Sequence, residues 1–380
     1  MPTPLILHTA TTCVPRGGVQ GALENHARLD AGQGLRARFV GYFDPAGATA
    51  EGVGLAGHGW ETVGALRRRF AAAATEQPVS VAVYHDGWGV HWFAPLDGAA
   101  RRVVFLHTET GHIDALIRQH APRVDGFLTV SRALAARVRQ AVPDFPPERI
   151  QALAYVVESP VTDAARERLA AGPVRFGYAG RIRRDQKRME RLPALIAELD
   201  RRGVDYAFDV LGEGDYLPEL QRQLHGHARV HFLPWRQGAD YWRTLASWRA
   251  IVLLSDFEGF SRAMMEGMMA GALPVHPDFS PAAAELVGPA AAGLYPVGDM
   301  AAAAERLAAL ATMDPAELAA LRHACRAHLA PHTPENYFAA YGNFLKQLLA
   351  WPARARPAPA AAWQDHLLLG VYTRLFPRRF

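Results

Sequence analysis

The chain has 380 residues, half of them hydrophobic, and a formal charge of +4 at pH 7. That length exceeds what one hydrophobic core normally supports, so we expect two domains. Two cysteines are too few for a disulfide framework or a cysteine metal site, and no window of about 18 strongly apolar residues predicts a membrane-spanning helix. We expect a cytoplasmic protein, because the N-terminus also lacks the basic start and apolar run of a signal peptide.

The cations are almost all arginines, since Lys187 and Lys346 are the only lysines. Arginine suits bidentate contacts to phosphate, so this composition permits anionic substrates. A bias in genomic base composition would give the same pattern. The small net charge does not indicate a nucleic-acid partner, and we expect none.

Short apolar runs alternate with amphipathic stretches, the pattern of parallel sheets covered by helices. The strands predicted in the first half are Leu5–His8, Arg38–Tyr42, Val79–Tyr84, Val103–His107, Phe127–Val130 and Ile150–Val156. Ser131 is a candidate N-cap for a helix over Arg132–Val142. Gly52–Gly57 matches a dinucleotide-binding fingerprint, but no predicted strand directly precedes it and the acidic partner is not evident. We interpret it as a loop.

A second series follows, with predicted strands Val174–Tyr178, Phe208–Leu211, Val230–Leu233, Ile251–Ser255 and Leu273–His276. We therefore predict an α/β protein with two Rossmann-like domains, residues 1–158 and 172–350, facing each other across a cleft. Ligands of such sheets bind outside the carboxyl ends of the strands. Residues 351–380 are predicted to be a proline-rich linker and a C-terminal helix that returns to the N-terminal domain.

The most specific motif is a pair of carboxylates, Glu258 and Glu266, after the fourth strand of the second series. Glu258 lies in the strand-to-helix loop, and a helix beginning near Ser261 holds Glu266 about 1.5 turns in. Backbone N–H groups of Gly259, Phe260 and Ser261 lie at the helix N-terminus, which suits a phosphate or a sugar hydroxyl. Acidic residues at a helix start also occur as ordinary solvated charges.

Two further motifs favour phosphate contacts. Gly180, Arg181 and Lys187 follow the first strand of the second series, and both cations can reach a diphosphate from one loop. Their charge would stabilise a departing anionic group. Gly17 and Gly18 follow the first strand of the chain, where glycines let the backbone approach a phosphate.

In this order the motifs resemble the donor half of family 4 glycosyltransferases, which have the GT-B fold. The resemblance rests on Gly180-Arg181, Lys187, the turn Leu211–Gly214, Glu258, Glu266 and Ala270-Gly271. Weaker N-terminal matches are Gly17-Gly18, Val104–His107 and Asp125–Ser131. Together they span about residues 5–345.

The resemblance implies that Arg181 and Lys187 hold the diphosphate of a nucleotide-sugar donor. It places the Gly17-Gly18 backbone on the other side of that diphosphate. The family retains the anomeric configuration and generally needs no metal. In agreement, the chain contains no Asp-x-Asp pair that could clamp a metal–diphosphate, so we expect no cofactor and no metal.

The resemblance also implies that Glu266 contacts the ribose hydroxyls, Glu258 the transferred sugar, and His107 the region of the sugar's C6 hydroxyl. A histidine that ends a strand is often a core residue instead. Base recognition is expected from backbone groups near Leu233 and Pro234. The identity of the donor sugar stays open, because the positions after Gly18 and after the last predicted strand depart from the family pattern.

Acceptor candidates follow strands of the first half. Asp86 could accept a hydrogen bond from a sugar hydroxyl, and Trp88 offers a face on which a sugar ring could stack. Glu109 is a third candidate for the acceptor site. Loops at the carboxyl ends of strands face the ligand in this architecture, although the segment around Asp86 could equally be an ordinary turn.

These observations predict a retaining, metal-independent glycosyltransferase acting on a glycan, lipid-linked or small-molecule acceptor, in cell-surface polysaccharide or glycoconjugate synthesis. Two alternatives share the fold: a nucleotide-sugar epimerase and a non-catalytic nucleotide-sugar binding protein. A phosphorylase would need a pyridoxal lysine, for which only Lys187 and Lys346 are available.

The apolar segment Trp363–Phe380 has two interpretations. In the first interpretation, the segment packs on the N-terminal domain, because an exposed apolar face favours aggregation of a soluble protein. Alternatively, its leucines enter the inner face of a membrane while Arg374, Arg378 and Arg379 meet anionic headgroups, a peripheral contact that suits a lipid-linked acceptor.

Overall fold

The computed structural model describes residues 3–13, 18–48, 52–109, 111–162, 174–356 and 365–371. Contacts divide the chain into a first unit, Met1–Tyr155 with Glu335–Phe380, and a second unit, Val156–Pro334. The sequence analysis assigned residues 335–350 to the second domain. Their helix belongs to the first unit because Tyr337 and Phe338 pack edge-on against the buried ring of His26.

The first unit is an α/β layer structure. Its strands are β1 Leu5–Ala10, β2 Arg36–Gly41, β3 Gly47–Ala48, β4 Gly52–Gly54, β5 Val81–His85, β6 Arg101–Leu106, β7 Gly126–Thr129 and β8 Ile150–Ala152. Its helices are α1 Gly18–Leu29, α2 Val63–Thr75, α3 Val90–Phe93, α4 Ile113–His120 and α5 Arg132–Ala141, with the long helix Pro334–Ala350. As predicted, Ser131 caps α5, because its hydroxyl accepts the Leu134 N–H over 3.0 Å.

The eight strands form one sheet in the order β3-β4-β2-β1-β5-β6-β7-β8. All pairs are parallel except β3 with β4. Every residue of β1 and β5 is buried, as expected for central strands covered on both faces. Strand order reverses between β1 and β5, the position where α/β sheets bind ligands.

The loop interpretation of Gly52–Gly57 is wrong for its first half, which is strand β4. Val53 pairs with Val40 of β2. A Cβ on Gly52 would lie 2.8 Å from the Phe39 carbonyl oxygen, so this glycine serves close strand pairing. No helix starts directly after the motif, since α2 begins at Val63, and the dinucleotide fingerprint is not formed.

The second unit repeats the architecture. Its strands are β9 Arg175–Ala179, β10 Ala207–Leu211, β11 Val230–Leu233, β12 Ala250–Val252, β13 Leu273–Pro277 and β14 Leu294–Tyr295. Its helices are α6 Leu192–Arg201, α7 Leu217–Gln223, α8 Gly238–Ala246, α9 Arg262–Ala270, α10 Pro281–Val287, α11 Met300–Thr312 and α12 Pro315–His328. The parallel sheet has the order β11-β10-β9-β12-β13-β14, which reverses between β9 and β12. The predicted α/β class with two Rossmann-like units is confirmed.

Residues 365–371 contact the first unit. Val63 N–H donates to the Leu367 carbonyl over 2.9 Å, and Leu369 N–H donates to the Glu61 carbonyl over 2.7 Å. Leu369 is only 2% exposed, whereas Leu368 is 37% exposed. The arginines after residue 371 lie outside the described residues. Within the described ranges, no helix has the length and hydropathy required to cross a membrane.

Candidate active site

The candidate donor site of the second unit begins with loops after β9 and β10 that touch through their backbones. Gly180 N–H donates to the Leu211 carbonyl over 3.0 Å, and Ile182 N–H donates to the Glu213 carbonyl over 2.7 Å. Gly212 has a φ of +155°, and a Cβ there would lie 1.9 Å from the Gly180 carbonyl oxygen. Only glycine permits this approach, which fixes the start of the loop after β9.

Lys187 and Glu258 form an ion pair at the carboxyl ends of β9 and β12, where the strand order reverses. Lys187 Nζ lies 2.5 Å from Glu258 Oε1, and Ser255 Oγ donates to the same oxygen over 2.7 Å. Gln186 Nε2 donates to Glu258 Oε2 over 3.1 Å. Because Glu258 is 7% exposed, burial and three donors hold its carboxylate in place, and the carboxylate holds the ammonium.

Asp256 fixes the turn that carries Lys187. Its carboxylate binds Arg188 Nε at 2.5 Å and Arg191 Nη2 at 2.6 Å, and its N–H donates to the Gln186 carbonyl over 3.1 Å. Burial raises the pKa of Asp256, but the hydrogen bonds from both arginines outweigh it and lower the net pKa. The sequence analysis missed Gln186 and Asp256, whose only signal is their place beside Lys187 and directly after a buried strand.

Arg181 lies on the same loop and is exposed. Its guanidinium donates to Gln186 Oε1 over 3.0 Å, and its carbonyl accepts the Tyr178 hydroxyl over 2.7 Å. Burial, with the nearby charge of Glu258, raises the pKa of Tyr178 far above its usual value. The backbone of Arg181 is thus anchored while its guanidinium stays accessible to an anion.

Helix α9 carries the second carboxylate of the motif. Ser261 Oγ caps the helix by accepting the Met264 N–H over 3.4 Å. Glu266 Oε1 accepts from Arg262 Nε over 2.8 Å, and Oε2 accepts from Tyr241 Oη over 2.5 Å. These contacts hold the carboxylate in one orientation on the first turns of the helix.

The remaining predicted donor residues differ in exposure. Gly259 and Phe260 are buried before α9, Leu233 is half-buried at the end of β11, and Pro234 is exposed. Leu233 lines an open depression of about 540 Å³ along β10, β11 and α8. Among the described residues, neither Lys187 nor Glu258 lines this depression.

A cavity of about 290 Å³ lies at the carboxyl ends of β1, β5 and β6 in the first unit. It is lined by Ala10, Thr11, Val19, Gln20, His85, Asp86, Trp88, Thr108, Ile113 and Leu116. The predicted acceptor residues Asp86 and Trp88 therefore share one cavity. Glu109 is not among these described lining residues.

Asp86 has an unusual environment for a carboxylate. Its backbone is in the left-handed region, with a φ of +54°, and its Oδ1 accepts the His107 N–H over 2.7 Å. Burial raises its pKa to about 6, although backbone N–H groups of His107 and Thr108 oppose the shift. The group therefore changes protonation close to neutral pH, which is common at functional sites.

The ring of His107 lies in a buried chain of side chains. Its Nε2 is 2.7 Å from His85 Nδ1, and its Nδ1 is 3.0 Å from Tyr155 Oη. The chain continues from His85 Nε2 to His8 Nδ1 at 3.1 Å. Burial lowers the pKa of His107 to about 3, so the ring is neutral. Both ring nitrogens of His107 thus contact side chains of the first unit, and its predicted place near the sugar's C6 hydroxyl stays a prediction.

Gly17 lies outside the described residues. Gly18 is the first residue of α1, and a Cβ there would lie 3.8 Å from Tyr155 Oη. Val19 of the same turn lines the 290 Å³ cavity, so the start of α1 forms part of its wall.

Residues 173–313 match the family model described as Glycosyl transferases group 1. The match covers most of the second unit, including Lys187, Glu258 and Glu266. A comparison with curated protein sequences gave no match.

Solved structures are similar over nearly the whole chain. Sucrose-phosphate synthase from Thermosynechococcus elongatus is 16% identical, covers 91% of this chain and 99% of its own, and has a TM-score of 0.74. Anabaena HepE in complex with UDP and glucose is 16% identical over 91% of this chain and 100% of its own, with a TM-score of 0.70. The lipopolysaccharide outer core galactosyltransferase WaaB is 15% identical over 90% and 99%, with a TM-score of 0.67. These similarities show the GT-B fold.

Proposed function

We propose that the chain is a retaining glycosyltransferase that moves a sugar from a nucleotide-sugar donor to a glycan, lipid-linked or small-molecule acceptor. The observation that carries the proposal is the ion pair of half-buried Lys187 with buried Glu258 where the strand order of the second unit reverses. The site lies in the domain that matches glycosyl transferases group 1.

Lys187 is suited to stabilise the leaving diphosphate. Its ammonium has three N–H donors, one of which points to Glu258, so the others can donate to phosphate oxygens. Arg181 on the same loop adds a planar guanidinium that can bind phosphate through two parallel bonds. Because these two cations supply the positive charge where negative charge develops, the proposed reaction needs no metal at the diphosphate.

The two glutamates are proposed to bind hydroxyls of the donor. Glu258 Oε2 has one described donor, Gln186, and a carboxylate oxygen can accept a second from the transferred sugar. Glu266, held by Arg262 and Tyr241, is proposed to accept from the ribose hydroxyls.

The cavity of the first unit is proposed to bind the acceptor. The ionised carboxylate of Asp86 would accept a hydrogen bond from a hydroxyl of the acceptor substrate, and the face of Trp88 would stack on a sugar ring of that substrate. The proposed role lies in cell-surface polysaccharide or glycoconjugate synthesis in the cytoplasm. With a lipid-linked acceptor, the enzyme would work peripherally at the inner face of the membrane, contacting it through the C-terminal segment where Leu368 and Val371 expose apolar side chains.

A thermal-shift screen with UDP-, GDP- and ADP-sugars tests donor binding, since a ligand that binds only the native state raises the melting temperature. UDP-sugars come first because the HepE structure contains UDP and glucose. We expect one base to stabilise the wild type and Lys346→Ala, whose exposed lysine lies in the first unit, but not Lys187→Ala. Equal stabilisation of all three proteins would contradict the proposed site.

The same samples separate the alternatives. Transfer or slow hydrolysis of the stabilising donor supports the transferase. Conversion of the donor to its epimer would identify an epimerase, and binding without any turnover would identify a binding protein.

A further inference from the structure

Three buried polar residues of the first unit lie together and do not line its 290 Å³ cavity. His8 is on β1, His26 is near the end of α1, and Asp30 follows that helix. Their side chains are at most 2% exposed, and one ligand atom from each lies within 4.8 Å of the others. Histidine nitrogens and a carboxylate oxygen are the ligand types of zinc sites.

Two polar atoms of this cluster and one of the neighbouring Tyr341 are buried without a hydrogen-bond partner. Among the described residues, His8 Nε2, Asp30 Oδ2 and Tyr341 Oη accept or donate no hydrogen bond. The ring of Tyr341 lies 4.7 Å from the ring of His26, so all three atoms belong to one region. Leaving buried polar groups without a partner is destabilising, so a ligand that bound these three atoms together would stabilise the folded unit.

The spacing of the unpartnered atoms suits an ion. His8 Nε2 and Asp30 Oδ2 are 4.0 Å apart, which is too far for a hydrogen bond. Ligand atoms bind zinc at about 2.0–2.2 Å, so two ligands of one tetrahedral ion lie roughly 3.4 Å apart. The two atoms would approach each other by about 0.6 Å when both bind one ion.

The outer contacts of both histidines are also those of metal ligands. A histidine that binds metal through one nitrogen normally donates its other N–H to a neighbour. Here His8 Nδ1 lies 3.1 Å from His85 Nε2, and His26 Nε2 lies 3.1 Å from Tyr337 Oη. Each histidine thus has one nitrogen directed to the cluster and the other held by a second side chain.

We propose that His8 Nε2, His26 Nδ1 and Asp30 bind a structural zinc ion in the first unit, with Tyr341 beside the fourth position. His26 Nδ1 now lies 2.9 Å from Asp30 Oδ1 and would exchange that contact for the ion. Two nitrogens favour zinc over Mg²⁺, which prefers oxygen ligands. The ion would join β1 and α1 and steady His8, whose partner His85 lines the cavity. It is separate from the diphosphate site of the second unit.

The test uses untagged, full-length protein and two probes, Zn²⁺ and Co²⁺. We expect one zinc per chain by elemental analysis, a higher melting temperature with Zn²⁺ but not with Mg²⁺, and the visible absorption of tetrahedral Co²⁺ after exchange. His26→Gln and Asp30→Asn should lose the ion. His120→Gln is the matched control, because His120 is equally buried in the first unit but lies outside the cluster.

If both cluster variants fail to fold, the wild-type measurements still decide the question. Wild-type protein without bound zinc, and with a melting temperature that Zn²⁺ leaves unchanged, would overturn the proposal. So would cluster variants that bind zinc as the wild type does.

Discussion

The two units bury polar groups at the carboxyl ends of their strands in different ways. In the second unit, the Glu258 carboxylate forms an ion pair with Lys187 and accepts hydrogen bonds from two neutral donors, Gln186 and Ser255. In the first unit, His85 and His107 are buried as neutral rings that contact each other, and burial lowers the pKa of both. The comparison teaches that the second unit pairs opposite charges at its strand ends, whereas the first unit holds neutral rings together beside its cavity.

The largest expected effect comes from removing a positive charge from the candidate donor site of the second unit. Lys187→Ala should lower kcat by about 10²-fold or more, the scale of removing one preorganised stabiliser of developing charge. Arg181→Ala should cause a loss of the same scale. Folding should change little in either variant, and Lys346→Ala should behave as wild type in steady-state assays. Wild-type turnover of both loop variants would remove the phosphate assignment.

Glu258→Gln keeps the shape of the side chain and removes the charge that holds Lys187. A hydrogen bond to a charged group is worth about 1.5–3 kcal/mol, so kcat should fall by roughly 10- to 100-fold. Glu266→Gln should instead raise the KM for the donor, because the proposed ribose contact exists before the reaction. A kcat for Glu258→Gln equal to that of the wild type would show that Lys187 needs no charged partner.

The pH dependence tests the titrating group of the first unit. Since the pKa of Asp86 is about 6, activity should fall as the pH drops below 6, by about tenfold per unit for a single proton. Asp86→Asn should be slower and should lack this step in its kcat/KM profile. If kcat/KM of Asp86→Asn fell below pH 6 as in the wild type, the titrating group would be a residue other than Asp86.

Stability gives an independent check on that step. The folded-state pKa of Asp86 lies above the unfolded value of 3.8, so the folded state binds more protons between these values. Its contribution to the free energy of unfolding therefore rises as the pH falls from 6 towards 4. Loss of activity in that range is then not caused by unfolding linked to Asp86.

The smallest effect concerns the C-terminal segment. Truncation after Ala362 should lower the melting temperature by roughly 3–12 °C, because burying a leucine is worth about 1.5–3 kcal/mol and each kcal/mol is worth about 2–4 °C in a unit of this size. In the full chain, Leu369→Ser should be destabilising and Leu368→Ser nearly neutral, as their exposures differ. Unchanged melting with lost binding to anionic liposomes would favour the membrane interpretation.

Local sequence patterns, namely apolar runs and a helix-capping serine, predicted many of the strands and helix ends. Each of the eleven strands predicted from apolar runs overlaps a strand of the structure, and Ser131 caps the helix that it was expected to cap. Lys187 and Glu258 were predicted to lie close together because each is in a loop that follows a buried strand, and parallel strands bring their carboxyl ends to one edge. Strand β4 was missed because glycine-rich pairing leaves no alternating apolar pattern.

Long-range side-chain contacts could not be predicted in the same way. His8 and His85 lie on two different strands and His107 directly follows a third, so only the sheet register shows that their rings meet. Gln186 is one polar residue in a polar loop until its amide is seen on Glu258. Such contacts depend on tertiary packing, which no local period encodes.

The most direct test of the central claim is an NMR analysis of the product formed from the donor that binds best. We predict transfer of the sugar with its anomeric configuration kept, at wild-type rate for Lys346→Ala and at least about 10²-fold more slowly for Lys187→Ala. A product with inverted configuration, or equal rates for the two lysine variants, would contradict the account.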